Sequence, residues 1–184
     1  MKIRHVNLIE STYPVNPIGS FCCSDETLNK IWEISNRTLK LCMEDAFTDC
    51  PLYEQTLWVG DARNEALFAY PVFGATDIGK RCIRLAAQMP DTSPLVACQA
   101  PNDWVVHLPA WSFLWGISVW DYYWYSGDAA FIEEIFPAVI ENIRGGESLL
   151  SEEGLFSGPF WNMFDWSGAD QDQDTVLHNT MFLV

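Results

Sequence analysis

Three carboxylates, Asp49, Glu54 and Asp61, fall within thirteen residues in the segment Phe47-Thr48-Asp49-Cys50-Pro51-Leu52-Tyr53-Glu54-Gln55-Thr56-Leu57-Trp58-Val59-Gly60-Asp61. Their neighbours Phe47, Tyr53, Leu57 and Trp58 are aromatic or aliphatic. A carboxyl desolvated by such groups, with like charges nearby, keeps its proton to higher pH. That is what a general acid working near neutrality requires. The same residues admit plainer roles: Asp61 after Gly60 suits a helix N-cap, Asp49 before Cys50-Pro51 a turn, and Glu54 a solvated loop charge. Elsewhere the signals are thinner. His107 reads as a hydrogen-bonded loop residue, and His178 is ambiguous. Asp165, Asp170, Asp172 and Asp174 cluster, but their spacing is not that of an EF-hand and its closing glutamate is missing, so a solvated acidic loop is expected rather than a calcium site. The six cysteines (Cys22, Cys23, Cys42, Cys50, Cys82, Cys98) include no CxxC pair and no histidine at ligand spacing. No metal and no cofactor is expected, and the thiols read as mostly buried and reduced.

Helices must position these groups. Residues 1–23, with Pro14, Pro17 and Gly19, read as a lead-in. Ser24 can cap a first helix whose face is Leu28, Ile31, Trp32, Leu39 and Cys42, running to about Met43. Residues 44–60 are irregular. A second helix is predicted from Asp61 to about Tyr70, ended by Pro71 and Gly74, and a third from Thr76 to Gln88. After a proline-rich loop over 90–107, the segment from Leu108 to Tyr125 is apolar nearly all round, with Trp111, Trp115, Trp120 and Trp124, and reads as a helix buried on all sides. Asp128 caps an amphipathic helix bearing Phe131, Ile132, Ile135, Val139, Ile140 and Ile143, which Pro137 can kink and Gly154 can end. Residues 154–174 are loop-like, and a last helix starts near Thr175.

One buried helix among amphipathic ones suggests two layers, inner and outer. A complete double ring of a dozen helices exceeds 184 residues, and the apolar end Met-Phe-Leu-Val leaves a helix unpartnered, so the expectation is about half of a domain. Acidic residues number 25 against 10 basic, a formal charge of −15. Such a field disfavours nucleic acid and anionic membranes as partners. No apolar run is long enough to span a bilayer and the N-terminus lacks a signal-peptide core, so a cytoplasmic location is expected. Nine tryptophans exceed the needs of a small core, and flat aromatic faces suit a sugar ring.

The order Asp49-Cys50-Pro51, Glu54, Leu57-Trp58, Gly60-Asp61-Ala62 resembles the catalytic loop of the bacterial α-L-rhamnosidases, glycoside hydrolase family 78. Gly19-Ser20-Phe21 and Ser24-Asp25 before Leu28-Asn29-Lys30-Ile31-Trp32 are similar to that family's entry into its first catalytic-domain helix. Asp103-Trp104 fits a Pro-Asp-Trp loop, with Asn102 preceding the aspartate here. Trp120-Asp121-Tyr122-Tyr123 with Ser126-Gly127-Asp128, and Phe164-Asp165-Trp166, resemble its later helical hairpin and its sugar-binding segment. The resemblance covers residues 19–184 and leaves 1–18 as a linker. One departure stands out: the better-known motif has Gln-Arg-Asp where this chain has Leu52-Tyr53, one residue shorter and without the arginine, which bears on the detailed sugar contacts and the exact sugar but not on the acid.

The resemblance implies an all-α (α/α)6 toroid, about the first half of it present, that hydrolyses terminal α-L-rhamnosides of a rhamnose-containing oligosaccharide or glycoside with inversion. Glu54 would be the general acid, and Asp49 and Asp61 would hold sugar hydroxyls and help stabilise an oxocarbenium-like transition state. Trp58, Trp104 and Trp166 would pack on the ring and its methyl group, with Asp165 beside them. The general base is expected on a later loop, beyond residue 184, so the isolated chain should be inactive. Two other readings are open: another (α/α)6 carbohydrate-active enzyme such as an unsaturated uronyl hydrolase, or a non-catalytic carbohydrate-binding helical protein. The oligomeric state is left open.

Overall fold

A computed structural model describes residues 2–89, 93–103, 106–166, 168 and 174–184; of 174–176 the backbone alone is described. Among these residues the chain is all-helical: α1 (Glu26–Leu41), α2 (Val59–Phe73), α3 (Thr76–Ala87), α4 (Pro109–Ser126), α5 (Ala129–Glu147) and α6 (Asp174–Met181). Extended backbone pairs there only as isolated bridges, Met43 with Phe47, Trp58 with Gln99 and Leu150 with Phe156. None of the described helices is long and apolar enough to cross a membrane.

α2 and α4 are the inner pair. They pack on each other, with α1 and α3 against α2, and α3, α5 and α6 against α4. Small residues on α2, Ala62, Ala66 and Ala69, let the helices approach closely, and Trp115, Val119 and Tyr122 of α4 fill the core opposite them. α3 and α5 bury one stripe each, Ile78, Cys82 and Ile83 on the first and Phe131 and Ile135 on the second. The lead-in is tied down from Tyr13 onward. Tyr13 N–H donates to Met43 O, its hydroxyl donates to Asp77, and the Ile18 and Gly19 N–H groups donate to Val72 O.

Several local expectations need correction. Asp25, not Ser24, caps α1, accepting from Thr27 N–H at 2.8 Å. Leu28 and Ile31 are exposed, because only the C-terminal end of α1, around Leu39 and Cys42, is buried. α2 starts two residues earlier than predicted and carries Pro71 inside it. A proline in the last turn forfeits one backbone bond without stopping the helix; Gly74, at φ 63° with its N–H on Tyr70 O, closes it. α5 ends at Glu147, well before Gly154. α4 is not buried all round: Trp120 and Trp124 are 58% and 70% exposed. Its neighbours cover the side bearing Trp115 and Tyr122, and Phe182, just past α6, lies against Phe113 with ring centroids 5.6 Å apart. Cys42, Cys82 and Cys98 are buried thiols, whereas Cys22 is exposed and Cys23 and Cys50 are partly so; all six are free.

Candidate functional site

The loop from Asp49 to Thr56 is clamped at its ends. Asp49 N–H donates to Thr56 O and Thr56 N–H donates to the Asp49 carboxylate, both at 3.1 Å. Within it Gln55 is held at φ 49°, unusual for a residue with a Cβ, and its side-chain amide donates to Pro51 O at 2.7 Å. The turn presents Glu54 beside Trp58, whose indole N–H donates to Glu54 Oε2 at 2.6 Å. Trp58 then starts α2 as its N-cap. Val59 N–H to Cys98 O and Ala100 N–H to Leu57 O pin this point to the 98–100 segment, which brings Gln99 alongside.

Asp61 lies in the first turn of α2 and is not its cap. Its Oδ2 accepts the indole N–H of Trp111, in the first turn of α4, at 2.8 Å. The indole lies flat on Gly60: a Cβ there would stand 2.6 Å from its Cδ1. Gly60 is thus required by close approach rather than by backbone conformation.

A cavity of about 690 Å³ collects these groups, with Asp49, Glu54, Asp61 and Asp165 as its carboxylates and Trp58, Trp111, Trp161 and Trp166 as its aromatic walls. Thr56, Gln99, Leu108 and Met163 complete the lining among the described residues, which include no Lys or Arg there. Its size suits a small ligand, while two other cavities, of about 10 and 60 Å³, do not. Trp161 and Trp166 meet edge to face, 6.0 Å between centroids, and Trp166 is 84% exposed, so this wall stands open to solvent.

The sequence motif therefore converges: Asp49, Glu54, Trp58, Asp61, Asp165 and Trp166 all line one space. Trp104, Asp170 and Asp172, and the side chain of Asp174, lie outside the described residues. The enclosure expected around Glu54 is not there. Glu54 is exposed, because Phe47 and Leu57 turn into the core while Tyr53 is 88% exposed. Desolvation falls instead on two carboxyls of α2. Burial raises the Asp61 carboxyl, the Trp111 N–H opposes that, and the charges of Asp49 and Glu54 add to it. Burial, then the charges of Asp61 and Asp49, push Glu65 up to about 9.

Sequence reasoning placed Trp111 in the core and passed over Trp161, Met163 and Glu65. For Trp111, its place two residues after Pro109, in the first turn of α4, was the available sign that it faces a loop end. His107 departs from its expected role, since neither ring nitrogen has a hydrogen-bond partner and burial lowers its pKa. His178 stacks on Phe164, ring centroids 4.5 Å apart.

Known proteins share this arrangement of helices. The chain is similar to the crystal structure of a family 78 rhamnosidase of Bacillus sp. GL1, 41% identical with a TM-score of 0.84, over 94% of this chain and 19% of that one. A rhamnosidase from Klebsiella oxytoca with rhamnose bound shares the fold, 21% identical with a TM-score of 0.76, over 95% of this chain and 35% of that one. An alpha-L-rhamnosidase of Formosa agariphila is 27% identical over 173 residues, 88% of this chain and 18% of that protein. The chain thus spans about a fifth of the length of the Formosa and Bacillus relatives. The description of the bacterial alpha-L-rhamnosidase six-hairpin glycosidase domain matches residues 16–184, which include all six helices described above, and the chain belongs to that family.

Proposed function

We propose that this chain supplies the acid side of a glycosidase pocket that hydrolyses terminal α-L-rhamnosyl residues with inversion. The observation that carries the reading is the meeting of Asp49, Glu54 and Asp61 with Trp58, Trp111 and Trp166 around one cavity. Glu54 gives its proton to the glycosidic oxygen as the C–O bond breaks. Trp58 occupies Glu54 Oε2, so the transferable proton belongs on Oε1. Asp49 and Asp61 take sugar hydroxyls, and their charge offsets the positive charge that develops on an oxocarbenium-like centre. The tryptophan faces pack on the ring and on its C6 methyl. An inverting mechanism needs a second carboxylate, ~6.5–9.5 Å from the acid, to activate water. We assign that base to another loop of the same domain, outside residues 16–184.

The test is a panel of nitrophenyl glycosides on the full-length protein and its Glu54→Gln variant. Cleavage of the α-L-rhamnoside, reduced by ~100-fold or more in the variant with rhamnose binding retained, is the expected result. Cleavage of β-glucosides or glucuronides in its place would reassign the sugar. An unchanged rate in E54Q would remove Glu54 from the chemistry.

A further inference from the structure

Glu65 stands one helical turn beyond Asp61, so both carboxyls leave the same face of α2. Its Oε2 is enclosed and has no hydrogen-bond partner among the described residues. The titratable groups that interact with it come from every side: Asp61 of α2, Asp49 of the loop, Cys42 at the end of α1 and Cys82 of α3. From α4 the nearest charge is Asp121, which is committed to Arg63 at 2.7 Å, and neither of these acts on Glu65. Among the described residues no cation acts on Glu65, and no donor reaches Oε2. A buried carboxylate without either is strongly disfavoured.

We infer that Glu65 is a positioning residue of the sugar pocket, an uncharged carboxylic acid set behind Asp61 and Asp49 whose ionisation switches the pocket off. The inference rests on the sugar-pocket reading above. While Glu65 is neutral, the pocket floor carries the charge of its own aspartates and nothing behind them. Once it ionises, a third negative charge sits one turn below Asp61, and repulsion between the carboxylates displaces the turn. That displacement spoils an acceptor aimed at a sugar hydroxyl. The elevation of Glu65 to about 9 agrees with this. At pH 10 roughly a tenth of the molecules keep the neutral form, so affinity should fall about tenfold.

Two measurements on the full chain test this, each comparing the parent with Glu65→Gln, which keeps the shape and stays neutral. The first is the binding of L-rhamnose at pH 7 and pH 10. The parent should lose about tenfold in affinity between them, and E65Q should remove most of that loss. A merely structural role would leave the pH dependence alike in both proteins, and that result overturns the inference. The second needs no ligand: carboxyl-carbon NMR follows the titration of Asp61. The midpoint should coincide in parent and E65Q, because Glu65 is uncharged throughout. A lower midpoint in E65Q would show that Glu65 carries charge in the parent, and would overturn the inference. If the parent binds no L-rhamnose at pH 7, the sugar reading fails, and the Asp61 titration decides on Glu65 by itself.

Discussion

Replacing Gly60 by alanine reads the contact on which the pocket geometry turns. A Cβ at that position meets Trp111 at 2.6 Å from Cδ1 and 2.7 Å from both Cγ and Nε1. Carbon atoms rest at about 3.5–4.0 Å, so the indole must retreat by about 1 Å. Its Nε1 now lies 2.8 Å from Asp61 Oδ2, and a retreat of that size takes the pair past about 3.5 Å, beyond hydrogen-bond reach. Two costs follow, about 1–3 kcal/mol for overpacking and about 1.5–3 kcal/mol for a partly buried carboxylate deprived of its donor. Against them stands the helix propensity of alanine over glycine, worth at most about 1 kcal/mol in the first turn of α2.

The net expectation is destabilisation by about 1.5–6 kcal/mol. Urea unfolding followed by tryptophan fluorescence measures it as a lower midpoint at unchanged slope. The sign is decisive. Without the indole over Gly60, propensity alone would make G60A more stable than the parent. Adding Trp111→Ala removes the ring that the methyl strikes, so G60A should be neutral or stabilising in that background, with a coupling of at least about 1 kcal/mol. A stabilised G60A single variant, or additive effects in the cycle, would refute the reasoning.

Other perturbations address the charges. Trp111→Phe removes the donor to Asp61 and should raise its titration above that of the parent, as carboxyl NMR reports. The Asp61 carboxyl is already raised in the folded state, so stability falls as pH climbs from 3.8 through the folded value. W111F carries that decline to higher pH, which denaturation at a series of pH values detects. Asp128 behaves with the opposite sign. Lys80 at 2.6 Å, then the Phe131 N–H and the Tyr122 hydroxyl, hold its carboxyl down at about 2. Its contribution is present above 3.8 and lost as pH falls toward 2, so Asp128→Asn should flatten the acid limb of stability over that window.

Helix content was legible because periodicity is local. The amphipathic stripes of α3 and α5, the proline at the start of α4 and the left-handed glycines that close α2 and α4 all act within a few residues. The co-location of Asp49, Glu54, Trp58 and Asp61 was legible for the same reason, since one clamped loop and one helical turn carry them. Environment was not. Phe47 and Leu57 flank Glu54 in sequence, yet both point into the core and leave it in solvent. Glu65 sits between Asn64 and Ala66, with nothing local to announce burial, and is enclosed by groups from α1, α3 and the loop. Trp111 and Trp115 share one helical stripe, but the first lies at a loop end and the second under three helices. Which end of an apolar stripe meets a cavity depends on where other helices stop.

Among the described residues the pocket lining gathers four carboxylates and no Lys or Arg, an arrangement that self-repulsion would oppose in a neutral scaffold. The fold answers with backbone. Both inner helices start at the cavity: Trp58 and Asp61 line it from the N-terminus of α2, and Leu108 and Trp111 from that of α4. Each N-terminus presents about half a positive charge from its aligned peptide dipoles, effective within the first turn. Asp61 lies inside that range on α2 and is tied to α4 by the Trp111 bond. A mobile Lys or Arg would neutralise the pocket equally well, but it could also fold into the cavity. Helix ends cannot move in this way. Their field favours anions at the aspartates and leaves the centre of the cavity open.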